Sequence, residues 1–165
     1  MTYYKIFYEA VNQICGDKAP QVLMAYGPKI EASDKKGGDY NTLQELAVWL
    51  LVQSNILNRI HWNTDTNFSH ELIQEAYELC RDTGDALAEK YVGRTDQKVD
   101  APFPSGKDSV NVDRKEILAM FKNLRDHMAD ACKKNPGFSE GIKNIFSDFD
   151  DKIDTIIYKF ARFHD

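Results

Sequence analysis

Apolar residues recur at three- and four-residue intervals in four long stretches of this chain, with polar residues between them. That period belongs to an α-helix with one buried face. The first stretch carries Leu43, Leu46, Ala47, Leu50, Leu51 and Leu57, and reaches His61. The second runs from about Ser69 to Tyr91. The third carries Ile117, Phe121, Leu124, Met128 and Ala131. The fourth carries Ile142, Phe146, Phe149, Ile153, Ile156, Phe160 and Phe163, an unbroken stripe. The spacing predicts four helices of roughly 30–38 Å each. Helices of matched length, each with one apolar stripe, bury those stripes best against one another in a four-helix bundle.

The breaks between the stripes agree. Asn67 or Ser69 is placed to cap the second helix, Asp113 the third and Ser139 the fourth. Gly93 follows the second helix, and Pro136-Gly137 ends the third. The first and second helices, and the third and fourth, are joined by short polar links, so each pair is antiparallel. The second and third are separated by VGRTDQKVDAPFPSGKDSVN, long enough to run back along the bundle. Short, long, short is the order of a ferritin-like bundle with one crossover. The fold class expected is therefore all-α, with the bundle over residues 43–165. Residues 1–42 form an N-terminal extension, with a short amphipathic helix through Tyr4, Phe7, Val11 and Ile14 and a loop at SDKKGGD.

Composition narrows the function. The 165 residues suit one domain. A chain of this size buries about 70% of its unfolded surface, which needs no cross-links. The three cysteines, Cys15, Cys80 and Cys132, are far apart and form no CxxC. This predicts a reducing, cytoplasmic setting. The first residues have neither a basic region nor an apolar run of signal-peptide type. No stretch reaches the 18 or so apolar residues of a membrane span. The net charge of −5 disfavours nucleic acid as a partner, because phosphate binding needs a basic face.

The chemistry concentrates in HWNTDTNFSH, which holds two of the four histidines, His61 and His70. A di-iron site within one chain would carry Glu-x-x-His pairs on two helices. The residues three before His61, His70, His127 and His164 are Asn58, Asn67, Leu124 and Ala161, so that site is absent. Asp85 and Glu89, four apart, project from one helix face as carboxylates sharing a hard cation would. His70 lies fifteen residues, roughly 22 Å, from Asp85 along the helix. The two sets cannot meet within one chain. A two-fold axis laying two such helices antiparallel would bring His61 and His70 of one subunit to Asp85 and Glu89 of the other.

His61-Trp62-Asn63, then Asn67-Phe68 and His70, then Asp85-Ala-Leu-Ala-Glu89-Lys90, resembles the Dps family, ferritin-like mini-cages of bacteria. The resemblance covers about residues 43–93. It implies an inter-subunit di-iron or mono-iron ferroxidase site of His61, His70, Asp85 and Glu89, with Trp62 beside the iron. It further implies Fe²⁺ oxidised by hydrogen peroxide or dioxygen, Fe³⁺ stored against oxidative stress, and a homo-oligomer of twelve subunits built from two-fold dimers. The His61–His70 interval is about three residues shorter than is usual in that family, and Lys90 stands where arginine is usual. The shortened form also resembles a ferritin-like family of phages and large DNA viruses. The alternative expectation is therefore a non-catalytic structural or interaction protein. It would be virion-associated, with other virion proteins as partners and Tyr3, Tyr4 and Tyr8 as contact surface.

Each residue also has a plainer reading. His61 could be a partly buried helix-end histidine, His70 a polar residue of a first helical turn, and Trp62 an aromatic closing the bundle end. Glu71, Glu75, Glu78, Asp82, Asp85 and Glu89 share one side of the second helix, as a solvated face does. Asp148, Asp150, Asp151 and Asp154 read the same way, with a cation-pore lining as the alternative. His127, between Asp126 and Asp130, is expected at the surface.

Overall fold

The computed structural model describes residues 40–99 and 112–163. The readings for residues 1–39, Cys15 and His164 lie outside them. Among the described residues the fold is all-helical: α1 (Tyr40–Trp62), α2 (Asn67–Thr95), α3 (Arg114–Lys134) and α4 (Glu140–Arg162). None is long and apolar enough to cross a membrane.

One apolar core draws on all four helices. Phe121, Phe149 and Phe160 are its largest fully buried side chains, and they come from the stripes of α3 and α4. Phe121 and Phe160 meet edge to face, their centroids 5.2 Å apart, a favoured aromatic geometry. α1 buries more than its stripe: Val48, Trp49, Val52 and Ile56 are buried as well. α1 and α2 lie close together at Gly84, where an added Cβ would sit 3.1 Å from the carbonyl oxygen of Ala47 and 3.3 Å from Leu50 Cβ. A side chain there would hold the helices apart.

Helix directions follow from named contacts. At the start of α3, Arg114 donates to Ser69 Oγ in the first turn of α2 (2.9 Å). It also donates to the carbonyls of Phe160 and Phe163 at the end of α4. Its guanidinium lies 4.2 Å from the Phe160 ring centroid, so charge, hydrogen bonding and ring stacking act together. The starts of α2 and α3 and the end of α4 therefore share one end of the bundle, and α2 and α3 run parallel. The end of α2 and the start of α3 therefore lie at opposite ends of the bundle. Lys159, near the end of α4, reaches Glu75 near the start of α2 at 3.4 Å, as antiparallel neighbours do.

Several boundaries differ from those expected. Among the described residues α1 already includes Tyr40–Thr42, ahead of Leu43. The N-cap of α2 is Thr66, with no side-chain cap bond. The Ser69 hydroxyl is instead engaged by Arg114. α2 also runs through Gly93 to Thr95. It stops at Asp96, which takes a left-handed conformation (φ 56°) while its N–H reaches Val92 O; aspartate tolerates that region better than most residues. Asp113 caps α3 as expected, in a full capping box with Glu116. Ser139 holds the N-cap of α4, also without a side-chain cap bond.

Candidate metal centre

The residues of HWNTDTNFSH first solve a local problem. A helix leaves its last carbonyls without intrahelical partners, and α1 and α2 are joined by only residues 63–66. Asn63 Nδ2 donates to Arg59 O at 2.7 Å, and Thr64 Oγ1 to Ile60 O at 2.9 Å. The backbone N–H of Asn63 also reaches Ile60 O. The carbonyl of His61 accepts from His70 Nδ1 at 3.1 Å. In return, His61 Nδ1 donates to the carbonyl of His70 at 3.0 Å.

This reciprocal pair fixes the chemistry of both rings. A carbonyl oxygen only accepts, so each Nδ1 carries its proton. In a neutral ring that tautomer leaves the lone pair on Nε2, free for a proton or a metal ion. The ring centroids are 3.6 Å apart with planes tilted by 31°. Tyr77, one turn further into α2 than Ile73, meets His61 edge-on at 5.4 Å. Its carbonyl accepts from Ser54 Oγ at 2.9 Å, tying α2 to α1 just inside the turn. His61 is buried and His70 half-buried.

The structure thus joins two of the four expected ligands. Asp85 and Glu89 are exposed and lie about four and five turns along α2 from His70. Among the described residues of one chain, no three His, Cys, Asp or Glu side chains group as a metal site. Two imidazoles by themselves do not complete the donor set of a transition-metal ion. Trp62 does not close the bundle end: it is 70% exposed. The last turn of α1 directs its neighbour His61 inward and leaves the indole in solvent.

The acidic side of α2 borders an open groove of about 640 Å³ against α4, with Glu75, Glu78 and Asp82 facing Asp148 and Asp151. Lys152 lines it too, and Lys159 pairs with Glu75 at its edge. Asp148, Asp150, Asp151 and Asp154 are exposed, and Asp154 accepts from Arg125 on α3 at 3.1 Å. The Cys80 thiol is buried, and burial pushes its pKa far up, which keeps it a neutral packing group.

His127 is half-buried rather than free at the surface. Its ring packs on Trp49 with centroids 4.3 Å apart, and its Nε2 is buried without a partner among the described residues. Burial pulls its pKa down to about 4; Asp130 opposes that shift and Lys134 adds to it. The flanking aspartates suggested solvent, whereas helical spacing turns His127 toward α1. The companion residues Trp49 and Gln53 gave no signal beyond two polar-capable side chains four apart.

Comparison of the chain with protein-family models, with curated proteins and with solved structures gives no match.

Proposed function

We propose that this protein is a Dps-like ferritin that binds Fe²⁺ between two subunits and passes its electrons to hydrogen peroxide or dioxygen. In this reading His61 and His70 offer Nε2 lone pairs from one chain, and Asp85 and Glu89 of a second chain supply the carboxylates. The four-helix order with one long crossover is the arrangement that reading requires, and closed two-fold dimers are the unit from which a shell would grow. The observation that carries it is the reciprocal Nδ1-to-carbonyl pairing, which holds both rings in the metal-binding tautomer before any ion arrives. Exposure of Trp62, Asp85 and Glu89 is what a shared interface needs of a single chain. Fe³⁺ storage in a reducing compartment completes the proposal.

The test is anaerobic Fe²⁺ titration followed by peroxide, with light scattering for subunit number. The His61→Ala/His70→Ala double variant and an Asp85→Asn/Glu89→Gln variant are the controls. Stoichiometric binding and rapid oxidation in an oligomer, lost in both controls, are expected. Binding unchanged in either control would overturn the site.

One observation favours a second reading. The same reciprocal bonds close the α1–α2 turn and cap α1, so the histidines would also suit a structural or interaction protein that uses them as a staple. That protein would show no Fe²⁺ binding above its controls and an equal loss of stability in each single histidine variant.

A further inference from the structure

Midway along the seam between α1 and α3, four buried polar atoms have no hydrogen-bond partner among the described residues: Trp49 Nε1, Gln53 Oε1, Gln53 Nε2 and His127 Nε2. Every such orphan among the described residues belongs to this group. Gln53 is fully buried and Trp49 is 3% exposed. They lie one turn apart on α1 and so share a face, and the His127 ring of α3 rests on Trp49 at 4.3 Å. Buried polar groups are almost always paired with protein or with ordered water, so three side chains orphaned in one place point to a partner beyond the described residues.

The donor and acceptor types describe that partner. The Trp49 indole N–H only donates. Gln53 donates through Nε2 and accepts through Oε1. Burial keeps His127 neutral at physiological pH, so its Nε2 accepts in one tautomer and donates in the other. A cation is refused by the Trp49 and Gln53 N–H groups, and an anion by the amide oxygen. An apolar guest would leave all four unmet. Buried water typically makes about three bonds to groups otherwise unsatisfied, and a water donates twice and accepts twice.

We propose that the α1–α3 seam is a binding site for buried water, one molecule accepting from Trp49 Nε1 and bonding His127 Nε2 and one end of the Gln53 amide. The other end of that amide takes a second water. The site is a polar rivet in an apolar core, fixing the height at which α3 sits against α1.

The chain has two tryptophans, so Trp62→Phe leaves the Trp49 indole as a single resonance in ¹⁵N-labelled full-length protein. Rotating-frame and laboratory-frame cross-relaxation to the water line are then recorded at that proton. The expected result is a direct water contact with the sign of a long-lived bound molecule, lost when Gln53→Leu is added. Absence of the contact in the Trp62→Phe protein would overturn the proposal whether or not the leucine variant folds. So would a scalar coupling across a direct Gln53–His127 hydrogen bond, which would mean that the chain closes the seam by itself.

Discussion

His61 and His70 each hold the other's backbone: Nδ1 of His61 lies 3.0 Å from the carbonyl oxygen of His70, and Nδ1 of His70 lies 3.1 Å from that of His61. Replacing either ring by alanine breaks one of these bonds and opens a gap against its stacked neighbour. Each single substitution should cost about 1–3 kcal/mol in urea unfolding. The double variant should cost less than the sum, because the two residues form one unit. Strict additivity would mean that the pairing does not act in solution.

Arg114 joins the start of α3 to α2 and to the end of α4. Arg114→Met should cost about 2–3 kcal/mol, since hydrogen bonds from a charged group to several acceptors are lost at once. Ser69→Ala removes only one of those acceptors and should cost about 1 kcal/mol. Thermal unfolding by circular dichroism would rank the two.

The two N-caps of the second hairpin make a matched pair. Asp113 accepts from Glu116 N, and the Glu116 side chain accepts from Asp113 N. Asp113→Ala should cost about 1–2 kcal/mol. Ser139 makes no such side-chain bond, and Ser139→Ala should change unfolding by less than about 0.5 kcal/mol. Equal losses in chemical denaturation would contradict the capping geometry.

His127 makes stability depend on pH. Its pKa is lowered in the folded chain from 6.5 to about 4, so between those values the unfolded chain binds the proton and the folded chain does not. Stability is therefore full above about pH 6.5 and falls as pH drops toward 4. The fall from this group amounts to about 3 kcal/mol at most, from 2.5 pH units at 1.36 kcal/mol each. Urea midpoints measured from pH 7 to 4 should flatten in His127→Phe relative to wild type. Parallel curves would show that His127 titrates normally.

Gly84 lies where α2 touches the backbone of α1. Gly84→Leu should cost about 1–3 kcal/mol by overpacking, or shift the helices apart. Gly93 has open space around the position of an added Cβ, so Gly93→Ala should be neutral or should stabilise α2 by up to about 1 kcal/mol. Differential scanning calorimetry on the two variants separates these outcomes.

Much of this architecture was legible from spacing alone. The stripes of α3 and α4 reappear in the core except at Phe163, which lies past the end of α4 and is exposed; a helix with one apolar face has one way to bury it. The short links and the long crossover set helix direction, which Arg114 then displays through its contacts. The limits of that reading were local. Ser69 had the chemistry of a cap, but Arg114, 45 positions later, claims its hydroxyl. Gly93 had the look of a terminator, yet its helical penalty is small and α2 continues to Asp96. At the candidate site, His61 and His70 were expected together as ligands; within one chain they do come together, ring against ring and each ring on the other's backbone, a bonding pattern that spacing does not reveal. The seam at Trp49, Gln53 and His127 was illegible. Its members are polar-capable groups scattered over two helices, and only packing brings them together.

The crossover leaves α2 at one end of the bundle and enters α3 at the other. A chain break between Val99 and Val112 would therefore yield two self-contained hairpins, each presenting half of one apolar core. Refolding would become a two-body association whose midpoint moves with concentration. The molecule is, in this sense, a heterodimer written on a single strand, and separately expressed halves could serve as reporters of each other's presence.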